Sequence, residues 1–141
     1  MTDLLTKLNS FKQHHFRVIG LSDWENYKNI EVAYLHRMQV HLVGTEFVDI
    51  NKKEWIDFEK KYYNQYRSLP SKFSTLGYEV GSYYLRLMNN YGLNFQLMFL
   101  GYQDEILGRK FEFFKTGIES GYENYSIFVY KYRNYLKERV Y

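Results

Sequence analysis

The chain's only proline, Pro70, separates two long amphipathic patterns, and this interruption limits the possible folds more than any other sequence feature. Before it, Trp55, Phe58, Tyr62 and Tyr66 fall at i, i+3, i+7 and i+11, with Lys53, Glu54, Glu59, Lys60 and Lys61 largely around them. That spacing predicts a helix over 52–67, with Asn51 or Asp49 able to cap its start. Proline cannot continue a helix and holds its predecessor extended, so Leu69-Pro70-Ser71 ends the pattern. A second stripe of Leu76, Val80, Tyr83, Leu87 and Tyr91 predicts a helix over 74–91. Gly92 follows as a left-handed C-cap.

The flanking segments have shorter periods. Leu4, Leu5, Leu8 and Phe11 predict a helix over 2–14, Phe16–Gly20 a strand, 30–38 a second short helix, and Val40–Val43 another strand running into Gly44. This αβαβ rhythm implies an α/β fold with a parallel sheet and flanking helices. Beyond Gly92, residues 95–100, 110–114 and 126–132 are β-prone runs separated by Gly101, Gly108, Gly117 and Gly121. They predict a strand-rich, antiparallel C-terminal end. A length of 141 residues suits one domain that buries roughly two-thirds of its unfolded surface, and no repeat or linker divides it, so residues 1–141 read as a single unit.

Composition narrows the function classes. Sixteen Tyr, eleven Phe and two Trp supply more aromatic surface than a small core can enclose, so much of it should lie half buried. The absence of cysteine removes disulfides, thiolate metal sites and a cysteine nucleophile. A net charge of +3 favours acidic partners only slightly. No apolar run is long enough to span a membrane, and Met1–Asn9 lacks the charged leader and apolar stretch of a signal peptide.

The sequence carries no nucleophile elbow, zinc-protease helix, P-loop or dinucleotide fingerprint, which argues against an enzyme of a common motif class. Of the four histidines, the adjacent His14 and His15 diverge on a helix, and His36 and His41 belong to different elements, so no metal site or cofactor is expected. Glu54 with Asp57 suits a helix start, and Asp104 with Glu105 reads as solvated. Asp23-Trp24-Glu25 differs, because it follows a strand of an α/β unit, where ligands bind in such folds. It reads either as a ligand site, with carboxylates beside an aromatic plane, or as capping acids with a packing tryptophan. The terminal run 128–141 interleaves basic and aromatic residues as single-strand binders do. Alternation sends Lys131 and Arg133 to one face and Tyr130 and Tyr132 to the other, which is ordinary for an edge strand, so no nucleic-acid partner is expected.

Phe16–Asn26, then Val40-His41-Leu42 and Phe47-Val48-Asp49, follow an order of features that resembles type 1 periplasmic binding proteins. Leu69-Pro70-Ser71-Lys72-Phe73 and Gly77-Tyr78-Glu79 are similar to that family's proline-serine step and its glycine-tyrosine-acid start of the next helix. Phe111-Glu112-Phe113 and Gly121-Tyr122-Glu123-Asn124 look like its closing segments. The likeness is nearest to the bacterial branch of amino-acid transporter substrate-binding proteins often associated with LysM repeats, and it covers only their C-terminal third. It implies a noncatalytic module for a small polar solute, placed in the periplasm or cell envelope with ABC-transporter or peptidoglycan-associated partners. On the family's map 41–47 is a crossing between lobes, 52–91 are paired helices of the other lobe, and the final strands recross. Asp23 or Glu25 would then accept the ligand's ammonium, with Trp24 as a stacking wall and Ser22 beside them. The same resemblance leaves apolar area where absent strands would pack, with a homo-oligomer as one expected outcome. The alternative is a stand-alone structural or protein-interaction module with an aromatic contact surface.

Overall fold

Lys131 faces His41 and Tyr130 faces Leu42 across an antiparallel strand pair, so two segments far apart in sequence close one sheet. The computed structural model describes residues 2–11, 13–14, 16–28 and 30–141. It packs as two compact units, the first formed by 1–47 with 127–141 and the second by 48–126. Neither junction carries a proline, glycine or serine run, and the second unit is spliced between two neighbouring strands of the first.

In unit 1, helix α1 (Thr2–Ser10) leads to strand β1 (Ile19–Leu21), a 3-10 turn (Ser22–Asn26), helix α2 (Val32–Arg37) and strand β2 (His41–Gly44). Two strands from the end of the chain, here β7 (Phe128–Arg133) and β8 (Leu136–Arg139), complete a sheet of order β1-β2-β7-β8. Only β1 and β2 run parallel, while β7 and β8 add antiparallel. The expected parallel sheet is thus a mixed one: β7 enters beside β2 in the opposite direction, and the two-residue turn of Asn134 and Tyr135, both at positive φ, folds β8 back antiparallel. The predicted crossing at 41–47 begins with β2 itself, and the chain leaves unit 1 just after Phe47. Alternation along β7 buries Phe128, Tyr130 and Tyr132 and leaves Arg133 exposed. β7 lies inside the sheet, and β8, exposed at every residue, is an edge strand. Leu5, Val40, Leu42 and Phe128 are fully enclosed, with Leu35 of α2 beside them. Each contributes about 1.5–3 kcal/mol relative to an exposed side chain. Helix α1 stops at Ser10, short of the predicted residue 14, where the Ser10 hydroxyl donates to the Lys7 carbonyl. Leu4 and Phe11 stay exposed, so the buried stripe is too short to hold another turn.

In unit 2, helices α3 (Lys53–Tyr66) and α4 (Lys72–Tyr91) lie where the stripes predict them. Helix α3 has no side-chain cap: Lys52 occupies the capping position, and Asp49 accepts from the Asn51 N–H in the turn before it. Ser71 caps α4 by accepting the Ser74 N–H, and Gly92 ends it at φ +63. Gly77-Tyr78-Glu79 falls inside α4, so Glu79 is a buried mid-helix residue rather than a helix-start feature. Residues Gly92–Met98 form a 3-10 segment in place of the start of the predicted strand. Phe95 and Phe99, four residues apart, both pack edge-on against Tyr84, which requires helical spacing. Two short hairpins follow, β3 (Asp104–Ile106) with β4 (Arg109–Phe111) and β5 (Phe113–Lys115) with β6 (Tyr122–Asn124), all antiparallel as expected. Tyr83 is the centre of this core, its ring stacked 4.4 Å from Phe111.

Candidate functional site

The loop Ser22–Glu25 is built into the sheet of unit 1. The Trp24 indole covers Gly20, where an added Cβ would come within 2.6 Å of three ring carbons. Ser22 meets Gly44 in the same way, at 2.8 Å. Glu25 accepts hydrogen bonds from the Tyr132 hydroxyl at 2.6 Å and the Lys137 ammonium at 2.7 Å, tying the loop to β7 and β8. Burial and this carboxylate push the Tyr130 and Tyr132 phenols well above their ordinary range. Trp24 is therefore a packing wall on the core, and Glu25 already holds a cation. Asp23 alone of the four is exposed and unpaired among the described residues.

A different set of side chains in unit 1 surrounds a cavity of about 590 Å³. Its walls come from the end of α1 and the segment after it (Leu8, Asn9, Phe11, His14, Phe16, Arg17), the end of α2 and its turn (Arg37, Met38, Gln39), β2 (His41) and β7 (Lys131). His41 and Lys131 are register partners, so the sheet sets them side by side. Arg17 has no ion-pair partner among the described residues. Arg37 lies 5.0 Å from the Tyr34 ring centre, and Lys131 reaches Glu138 only at 3.7 Å. The His41 Nδ1 atom is buried without a hydrogen-bond partner among the described residues. Phe11 and His14 both pack against Phe16, giving the cavity an aromatic side. No carboxylate belongs to its described lining. Three fixed cations, two imidazoles and two amides around one space attract an anion and offer it directed donors.

The histidines thus divide: His14 and His41 share this cavity, whereas His36 accepts the Tyr135 N–H and packs edge-on against Tyr132. His15 lies outside the described residues. Among the described residues no group of three His, Asp or Glu could hold a metal ion, and no helix is long and apolar enough to cross a membrane. Asp104 pairs with Arg86 and Glu105 with Lys52, while Glu54 lies in the first turn of α3. At the C-terminal end the aromatic rings are covered from within: Lys137 lies 5.6 Å and 5.9 Å from the centres of Tyr130 and Tyr132, and Arg139 4.6 Å from that of Phe128. Sequence spacing misses Arg17, Arg37 and Gln39, which come from separate segments. Lys131 alone carries a signal, as a charge on the outward face of β7. Comparison with known proteins returns no match: no family model fits the sequence, and neither a curated protein nor a solved structure is significantly similar to it.

Proposed function

We propose that this chain is a noncatalytic small-solute-binding module whose first unit holds a small anion, a carboxylate or a phosphate ester, in the basic cavity. The observation that carries the reading is the convergence of Arg17, Arg37 and Lys131 with His14 and His41 on a space whose described lining has no carboxylate. Charge-assisted bonds from guanidinium groups are about twice as strong as neutral ones, and Phe11 and Phe16 offer an apolar body a surface to rest on. The resemblance to periplasmic binding proteins supports the solute-binding class, and it alone supports an envelope setting with transporter partners. The ligand's charge reverses the ammonium expected at Asp23 or Glu25, because Glu25 is engaged by Lys137.

The test is a titration of the full chain with citrate and with inorganic phosphate at low ionic strength, followed by the imidazole resonances of His14 and His41. Saturable shifts that weaken as salt is added are expected, with Arg17→Gln and Arg37→Gln each reducing affinity about tenfold and Asp23→Ala leaving it unchanged. Failure of both anions to shift either imidazole overturns the reading, and loss of affinity in Asp23→Ala returns the site to the loop.

A further inference from the structure

Unit 2 contains a cavity of about 490 Å³ between α3, α4 and the β3–β4 hairpin, and its chemistry is the reverse of the basic one. One wall is aromatic: Phe58 lies 6.0 Å from Tyr62 and 4.6 Å from Tyr78, and Tyr62 lies 4.6 Å from Tyr66. The Tyr62 hydroxyl is anchored to the Ser74 hydroxyl at 2.9 Å, while Tyr66 and Tyr78 remain exposed. The wall is therefore fixed at its base and open at its rim.

Five ionisable groups other than tyrosines line the space. Arg86 is bound to Asp104 at 2.8 Å and Glu105 to Lys52 at 3.3 Å, so each is already neutralised. Glu54, Asp57 and Lys61 remain, none in an ion pair among the described residues. The uncompensated charge is negative in a chain whose net charge is +3. Glu54 and Asp57, three residues apart on α3, stand on one face beside the aromatic rings.

The hairpin tip supplies the apolar part of the lining, Ile106 and Leu107. Leu107 takes a left-handed backbone at φ +52, a conformation that costs a branched side chain energy and normally falls to glycine. The two-residue turn between β3 and β4 demands it, and beside it Glu79, almost wholly buried, accepts the Gly108 N–H at 3.1 Å and the Arg109 Nε–H at 3.2 Å. The apolar Leu107 side chain lines the same cavity as the tyrosines.

We propose that this cavity is a second ligand site, selective for a small organic cation: an ammonium group on an apolar body. The faces of Tyr66 and Tyr78 attract a cation through their ring quadrupoles, Glu54 and Asp57 neutralise it, and Ile106 with Leu107 receives its hydrocarbon part. The site stands whether or not the basic cavity of unit 1 binds an anion.

The test uses choline and its uncharged analogue in which carbon replaces the quaternary nitrogen, each titrated into the full chain with the Tyr66 and Tyr78 ring resonances as readout. Choline is expected to give saturable shifts at those rings, with the neutral analogue about tenfold weaker. The exposed double substitution Glu54→Gln with Asp57→Asn is expected to weaken choline at least about fivefold while leaving the remaining spectrum in place. Equal binding of the neutral analogue, absence of saturation, or unchanged affinity in the double variant overturns the proposal. Citrate shifting these rings more strongly than choline also overturns it.

Discussion

Unit 1 and unit 2 meet the same requirement, enclosing many aromatic rings in a small volume, by opposite means. Unit 1 closes a sheet from the two ends of the chain and directs the Tyr132 hydroxyl at a half-exposed carboxylate, Glu25. Unit 2 is continuous in sequence, and within it the buried Glu79 on α4 bonds the start of β4 through Gly108 and Arg109. The apolar sheet tolerates the loss of one polar contact, because water can replace it at a half-exposed group. A buried ion pair does not, because removal of one partner leaves the other charged and desolvated.

Glu79→Gln probes that difference with the largest expected effect, a loss of about 3–5 kcal/mol from unit 2. The two tryptophans fall one to each unit, Trp24 in the first and Trp55 in the second. Denaturation followed by Trp55 in a Trp24→Phe background, and by Trp24 in a Trp55→Phe background, reads the units separately. The loss should appear in the Trp55 transition alone. Equal losses in both would show that the two units unfold as one.

Alkaline pH sharpens the contrast. The folded pKa values of Tyr130 and Tyr132 in unit 1 and of Tyr83 in unit 2 all lie above the unfolded value of 10.0, that of Tyr83 at about 12, chiefly through burial. Each folded phenol keeps its proton where the unfolded one loses it. The stability these groups contribute is therefore complete below about pH 10 and falls as pH rises toward the folded values. Two such phenols give unit 1 a decline of about 2.7 kcal/mol per pH unit above that point, against about 1.4 from Tyr83 in unit 2. The half-buried Tyr102, also raised by burial, adds a smaller share to unit 2. Urea midpoints measured with the two tryptophan reporters from about pH 9 to 12 check the slopes.

Glycine replacement gives the smallest effect and should change sign between the units. Gly20→Ala drives a methyl group into the Trp24 ring, an overpacking cost of about 1–3 kcal/mol that the Trp24→Phe background should reduce. Gly77→Ala and Gly81→Ala meet nothing within 4 Å inside α4 and should each add about 0.5–1 kcal/mol. Thermal midpoints of the three variants decide it, and a loss at Gly77 or Gly81 would contradict the open space around them.

The legible parts of this fold are those in which near neighbours in sequence determine the structure. The stripes of α3 and α4, the break at Pro70, the turn at Gly92 and the alternation of Phe128, Tyr130 and Tyr132 all depend on residues a few positions apart. The sheet order escaped because β2 pairs with a strand that begins at Phe128, and no local period encodes that partner. Residues 95–100 misled because an aromatic run suits a strand or a short helix equally well until Tyr84 provides the surface. The candidate site was less legible still. Arg17, Arg37 and Lys131 have no mutual spacing, so only the fold shows that they converge. Ser22–Glu25 reads as a site from its place after a strand and its carboxylates beside an aromatic plane, yet a tryptophan next to a sheet glycine is as much a packing signature as a binding one, and Gly20 carries that information.

The pairing of Gly44 with Phe128 also bears on the order of events during synthesis. Among the described residues, β2 can pair with β1 as soon as it is synthesised, whereas the edge that meets β7 waits until the whole of unit 2 has followed. Unit 2 is uninterrupted in the chain and can complete its contacts first. Its compaction draws the two loose ends together and lowers the loop-closure entropy that the β2–β7 pairing would otherwise incur. The insertion thus serves as a clasp, making late closure of the sheet the step on which the basic cavity depends.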